Sequence, residues 1–396
     1  MSVRALLLFL VVRPLSAQQP VTRAQAMEAA LTRGARAALG RADTALAAGA
    51  LGAAHAFPNP SLAATYTKDT PHYHYIADLA LDLPWLRAPR VGAAAAAHDA
   101  ARYGFAFERA AIRFDVDTTY THALASAAHA RLSRRNARDA DSLLQMARLR
   151  REVGDVSELD VRLAEVNAGQ LENLAVDDSL TALDALLAVQ LAMGLPADAP
   201  AIALADSLGP PSDSAPDPAG EPLRIAAATA TLRSEERTLT LSHRAVLPAP
   251  SIQAGVERGD PADPSGAALP TVGVTFALPL FSWNRGATAQ ARAARDHAAA
   301  TLELTRRQSE ADIARGRRGL AAALARVTRD RRLLASADRV AAMSLQAYGE
   351  GAVPLANVLE AQRNAREALG RYIDDLALAN DAAGSVRLLT ASAATQ

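Results

Sequence analysis

Apolar and polar residues alternate with a period of two in a few short stretches of the chain, and recur with a period near seven over much longer ones. In HYIADLALDL, Tyr75, Ala77, Leu79, Leu81 and Leu83 share one face, while His74, Asp78 and Asp82 point the other way with Ile76 and Ala80 between them. In PSIQAGVE, Ile252, Ala254 and Val256 oppose Gln253, Gly255 and Glu257. In TVGVTFAL, Val272, Val274, Phe276 and Leu278 oppose Thr271, Gly273, Thr275 and Ala277. Period-two alternation predicts strands. With the alternating run that follows Pro58-Asn59-Pro60-Ser61, these make two hairpins. Each run has about eight to ten residues, close to what a tilted strand needs to cross a bilayer.

The long stretches carry coiled-coil spacing. Val358, Gln362, Ala365, Leu369, Tyr372, Leu376 and Ala379 step by alternate fours and threes, and Leu320, Leu324, Val327, Leu334, Ala341, Leu345 and Tyr348 keep the same seam. A repeat of this kind packs helix against helix along a supercoiled line. No proline falls between Pro89 and Pro196, between Pro279 and Pro354, or after Pro354, so these stretches can run as uninterrupted helix. Residues 93–150 alone would make a helix of about 87 Å at ~1.5 Å per residue.

Signals recur in order along the chain. Pro58-x-Pro60-Ser61 returns as Pro248-x-Pro250-Ser251, Leu83-Pro84 as Leu278-Pro279, the basic turn Arg90-Val91-Gly92 as Asn284-Arg285-Gly286, and the glycine break at Gly154 as Gly351. The offsets are 190, 195, 194 and 197. Four signals at nearly one offset predict an internal duplication. Its halves are 18–195 and 223–396, each a helix, a β-hairpin and a long helical pair, with a Pro/Asp-rich linker of seven prolines at 196–222. Four strands in one chain leave open edges, which hydrocarbon does not tolerate. If the strands lie in a membrane, they must share a barrel with other copies.

Composition narrows the function. Half the residues are hydrophobic but only 4% are aromatic, and Lys+Arg and Asp+Glu both count 42. Zero net charge argues against a nucleic-acid partner, which demands a basic excess. Cysteine is absent, which removes disulfides, thiolate metal sites, cysteine nucleophiles and an acylated N-terminal cysteine. Arg4, the apolar run Ala5–Val12 and the small residues Ser16-Ala17 read as a secretory signal over 1–17. No other window is long and apolar enough for a transmembrane helix. No phosphate-cradling glycine loop, HExxH or GxSxG occurs, so an enzyme is not expected. His72 and His74 in PHYHY are two imidazoles without a third ligand at fixed spacing, too few for a closed metal site. No metal or other cofactor is expected.

Two stretches carry a family resemblance. VGVTFALPLFSWNRGATAQARAARDH resembles the strand ending in Leu-Pro-Leu-Phe, the Asn-Arg-Gly turn and the small-and-charged helix of the TolC family of outer-membrane efflux channels. AYGEGAVPLANVLEAQRNAREAL is similar to that family's Tyr-x-x-Gly, Val-Leu and Ala-Gln pattern at a helix–helix turn. AGALGAAHAFPNPSLAATYT looks most like the heavy-metal efflux branch. The resemblance, with the duplication, linker and signal segment, extends over the whole mature chain.

It implies a mainly α fold with membrane β: long antiparallel coiled-coil helices plus two β-hairpins per protomer. Three protomers would form a homotrimeric twelve-stranded barrel in outer-membrane lipid, continued by an α-helical tunnel in the periplasm. The expected partners are a periplasmic adaptor and an inner-membrane pump such as a resistance-nodulation-division transporter. Val153, Gly154, Asp155, Gly351, Ala352 and Val353 match the family's adaptor-docking turns. Asp160, Asn357 and Glu360 fall near its tunnel constriction, although the family often has an aspartate where Asn357 stands. Tripled around an axis, such carboxylates would make a negative ring that favours cations. The same residues also read as ordinary helix caps and solvated charges. The expected function is passive conduction of small molecules or metal ions out of the cell. A type I secretion channel has the same architecture, and a soluble periplasmic coiled-coil scaffold is the rival from another class.

Overall fold

The computed structural model describes residues 20–211, 220–247, 249–259 and 267–393. The signal segment, part of the linker, Pro248 and residues 260–266 lie outside the described residues. The elements are α1 (Arg23–Arg33), α2 (Ala35–His55), β1 (Ser61–Tyr66), β2 (Tyr73–Ala80), α3 (Pro84–Glu152), α4 (Glu158–Ala192), α5 (Leu223–Arg244), β3 (Ser251–Arg258), β4 (Leu269–Thr275), α6 (Arg285–Gly349) and α7 (Leu355–Leu389). Helices dominate, and the strands are shorter, at six to eight residues, than the alternation suggested. Two compact units share these elements: the described residues within 1–38, 109–216 and 314–388 form one, and those within 39–108, 217–313 and 389–396 form the other.

In the first unit, α1, the start of α2, α3 and α4 enclose a core in which Ala26, Ala30, Ala37, Val116, Tyr120, Ala123 and Val189 are buried together. Alanine is frequent there because it costs nothing in side-chain entropy and lets helices approach closely. The Tyr120 hydroxyl donates to the Val21 carbonyl at 2.7 Å, and Val21 also pairs in parallel with Leu204. Burial raises the Tyr120 phenol above its ordinary range. Beside it, the buried Asp117 carboxylate is held by Arg23 and by Arg387. The seam read from the heptads forms: Val327 and Ala323 of α6 pack on Leu376 and Ala379 of α7, with Leu324 and Tyr372 alongside. Leu345, assigned to the same seam, is instead exposed.

In the second unit, the strands make one antiparallel sheet in the order β1-β2-β3-β4. Its central joint pairs Tyr75 with Val256, Ala77 with Ala254 and Leu79 with Ile252. Gly255 is required there, since a Cβ would stand 2.6 Å from the Tyr75 carbonyl oxygen. The helix after β2 starts at Pro84, earlier than expected, so the basic turn at Arg90–Gly92 is helical. Pro89 sits inside it and has no N–H for the carbonyl four residues back. That carbonyl, of Trp85, accepts from Arg244 Nη1 at 3.0 Å instead. The counterpart Gly286 likewise lies in the first turn of α6.

Candidate functional site

Register and the pleat sort the sheet into two unlike faces. Leu62, Ala64 and Tyr66 of β1 stand with Tyr73, Tyr75, Ala77 and Leu79 of β2. The same face continues through Ile252, Ala254 and Val256 of β3 to Val272 and Val274 of β4. These side chains meet no other layer: Leu62 is 77% exposed and Val272 80%. The opposite face carries Thr65, His74, Asp78, Ser251, Gln253, Glu257 and Thr271. There Asp78 Oδ2 accepts from Ser251 Oγ at 2.8 Å and Gln253 Nε2 at 3.0 Å, and His74 lies 3.4 Å from Glu257. An apolar outward face backed by a polar one is what a transmembrane barrel wall presents to lipid and to water.

Aromatic residues flank both ends of this face. Tyr66 and Tyr73 sit at one end with ring centroids 5.4 Å apart. Phe57, Trp85, Phe276, Phe281 and Trp283 lie exposed around the other, Phe281 at 99%. Amphipathic rings gather where hydrocarbon meets headgroups.

The glycine breaks form two like turns in the first unit. After α3, Gly154 adopts φ +84 and the Asp155 N–H reaches back to the Arg150 carbonyl at 2.9 Å. After α6, Gly351 adopts φ +76 and the Ala352 N–H reaches the Ala347 carbonyl at 2.8 Å. Both are left-handed helix stops that only glycine adopts cheaply. The structure brings the turns together over one core of Leu143, Leu144, Ala147, Ala164, Tyr348, Leu355 and Val358, with Val353 packed against it. Arg150 joins them: its Nη1 donates to the Tyr348 carbonyl at 2.6 Å and its guanidinium lies 4.8 Å from the Tyr348 ring centre. Burial, opposed by Arg150, raises the Tyr348 phenol, and its hydroxyl finds no partner.

Val153, Gly154, Asp155, Gly351 and Ala352 are exposed at these turns, Val153 at 73%. Asp160 is half-buried and closes a capping box, accepting from the Ser157 N–H at 3.1 Å while its own N–H donates to Ser157 Oγ at 3.2 Å. Asn357 and Glu360 are exposed in the first turns of α7, and Glu360 pairs with Arg363 at 3.0 Å. Arg150 was not singled out in the sequence, where it is one arginine among many on α3. A second feature also escaped it: His122, His129, Asp374 and Asp381 line a cavity of about 380 Å³ between α3 and α7.

Among the described residues no helix is long and apolar enough to cross a membrane, and no group of three or more His, Asp or Glu is arranged to hold a metal. No family model matches the chain, and no curated protein is similar to it in sequence. Its fold, however, is that of the TolC-type outer-membrane channels. A membrane protein from Pseudomonas aeruginosa superposes with a TM-score of 0.80 at 19% identity over 93% of each chain. The CmeC outer membrane channel of Campylobacter jejuni gives 0.78 at 15% identity, covering 93% of this chain and 85% of its own. The open state of the MtrE outer membrane channel of Neisseria gonorrhoeae gives 0.79 at 14% identity, covering 93% and 88%.

Proposed function

We propose that this chain is the outer-membrane exit duct of an efflux system, a passive path for small molecules or metal ions delivered by an inner-membrane pump through a periplasmic adaptor. The observation that carries this is the two-faced sheet: an unpartnered apolar face between two aromatic borders, on the fold of known outer-membrane channels. Residues 1–17 serve as its signal peptide. The strands close as twelve in a homotrimer, and the halves 18–195 and 223–396 are repeats joined by the 196–222 linker. Two bridges support the repeat reading, since Val21 pairs with Leu204 near the limits of one half and Pro222 with Ser392 near the limits of the other.

The turns at Val153–Asp155 and Gly351–Val353 are the adaptor-docking surfaces, and Asp160, Asn357 and Glu360 border the constriction. Asp160 is committed to its capping box, so the charge it offers a passing cation is that of a carboxylate already accepting hydrogen bonds. The rival duct, for type I secretion, shares every one of these features. A soluble scaffold is disfavoured by the uncovered apolar face.

Cysteine labelling in the cysteine-free background tests the membrane reading. Val272→Cys should react with a hydrophobic maleimide in outer-membrane preparations and resist a charged one, and Gln253→Cys should do the reverse. Equal reaction of both positions with the charged reagent would refute it.

A further inference from the structure

The two ends of the sheet differ in charge. Ser61, Ala80, Ser251 and Thr275 mark one end, where all four strands meet their helices. The segments that make these junctions, 55–61, 80–92, 243–251 and 275–286, hold four arginines, Arg87, Arg90, Arg244 and Arg285, and one carboxylate, Asp82. At the other end the described charges cancel, Lys68 and Arg258 against Asp69 and Glu257.

The single carboxylate at the helix end is already neutralised. The Asp82 side chain is 2% exposed, with Arg90 Nη2 at 2.8 Å and Arg87 Nη1 at 3.7 Å. Arg87 also donates to the His55 carbonyl at 2.8 Å, and Arg90 to that of Ala54 at 3.2 Å. These two arginines therefore share one negative charge and tie the end of α2 to the start of α3. Arg244 and Arg285 are different. Both are exposed, and neither meets a carboxylate among the described residues. Arg244 gives one N–H to the Trp85 carbonyl, which leaves most of its five donors open.

The aromatic rings stand among these charges. The Arg87 guanidinium lies 4.0 Å from the centre of the Phe57 ring. Trp85 carries the carbonyl that Arg244 holds, and Trp283 precedes Arg285 by two residues. Both indoles are exposed, and the apolar face of the sheet begins beside them. Rings of this kind settle where acyl chains give way to headgroups, and a guanidinium matches a phosphate in shape and charge. A zwitterionic headgroup brings its own cation, so only a lipid of net negative charge offsets the excess.

We propose that the helix end of the sheet is a binding surface for anionic phospholipid, with Arg244 and Arg285 on the headgroup phosphates and Trp85 and Trp283 at the level where the acyl chains begin. This rests on the membrane reading of the sheet given above. Arg87 and Arg90 hold the junction in shape beneath it. The opposite end, without an excess of cations, has no such preference.

Tryptophan fluorescence tests the surface, because Trp85 and Trp283 are the only tryptophans of the chain. Full-length protein is placed in phosphatidylcholine vesicles containing one fifth phosphatidylglycerol, with quenching brominated chains on one lipid or the other. Molecule for molecule, brominated phosphatidylglycerol should quench more, with a preference of up to about fivefold, the worth of one arginine at an anionic surface. R244Q/R285Q should bring the preference close to one, and R244K/R285K, which keeps both charges, should retain it. If the glutamine pair fails to fold, Arg285→Gln alone should still lower the preference. Equal quenching of the wild type by both lipids, or a preference that survives the glutamines, would overturn the surface and leave the sheet in the membrane. Quenching by neither lipid would overturn both readings, since the rings would then lie outside the bilayer. A preference abolished by free inorganic phosphate at matched ionic strength would mean a site for any phosphate, and would also defeat the proposal.

Discussion

At the scale of single residues, the turn region turns on what Arg150 and Tyr348 offer each other. Arg150 uses its charge twice, on the Tyr348 carbonyl and over the Tyr348 ring. The Tyr348 hydroxyl is buried and makes no hydrogen bond of good geometry. A charge-assisted hydrogen bond is worth about 1.5–3 kcal/mol, whereas an orphaned buried hydroxyl is a cost. The two substitutions should therefore differ in sign. Arg150→Met should destabilise by about 2 kcal/mol, and Tyr348→Phe should be neutral or stabilising by up to about 1 kcal/mol. Denaturant unfolding of the full chain, with both variants measured side by side, checks this; equal losses would mean that the hydroxyl has a partner after all. Neither role is visible in the sequence. Tyr348 ends a heptad seam, but Arg150 is 198 residues away along the chain, and nothing local marks it.

At the scale of elements, period carried most of the information. The strands Tyr73–Ala80 and Ser251–Arg258 lie where alternation put them, and α6 and α7 share the seam of Val327, Tyr372 and Leu376. Boundaries were less legible because they depend on partners. Helix was expected from residue 93 on, beyond Pro89, but a proline ends a helix only when the carbonyl it strands stays unsatisfied, and Arg244 satisfies that of Trp85 from another helix. The His–Asp cavity was missed for a similar reason, although the shared spacing of seven at His122/His129 and Asp374/Asp381 was there to be found. The glycine turns were legible, and their geometry sets Gly351 apart from its near neighbour Gly349. Gly351 has φ +76, a conformation costing an L-residue about 1–2 kcal/mol. Gly349 closes α6 with nothing within 4 Å of a new Cβ. Gly351→Ala should thus lower stability by about 1 kcal/mol, and Gly349→Ala should raise it by a fraction of that. Thermal unfolding of the two variants reads the contrast, and a shift of the same sign in both would count against the turn geometry.

At the scale of the whole molecule, the sheet poses the question that one chain does not answer by itself. Its order leaves β1 and β4 as edges, each with a row of backbone donors and acceptors that needs a partner. In lipid every such group left unpaired costs several kcal/mol, so an apolar-faced sheet with open edges is stable in a membrane only when closed. Strand direction is compatible with closure between copies: β1 and β4 run in opposite directions in the antiparallel sheet. The β1 of one copy can therefore continue the antiparallel ladder of another copy's β4. Because the chain has no cysteine, the edges can be probed one pair at a time. A set pairing Leu62→Cys, Ala63→Cys or Ala64→Cys with Val272→Cys, Gly273→Cys or Val274→Cys should include at least one pair that oxidises to covalent dimers and trimers and stops there. A single-cysteine control on either edge should give dimers at most. Ladders extending past three would mean that the edges join in an open array, and monomers throughout would mean that something other than a second copy covers them.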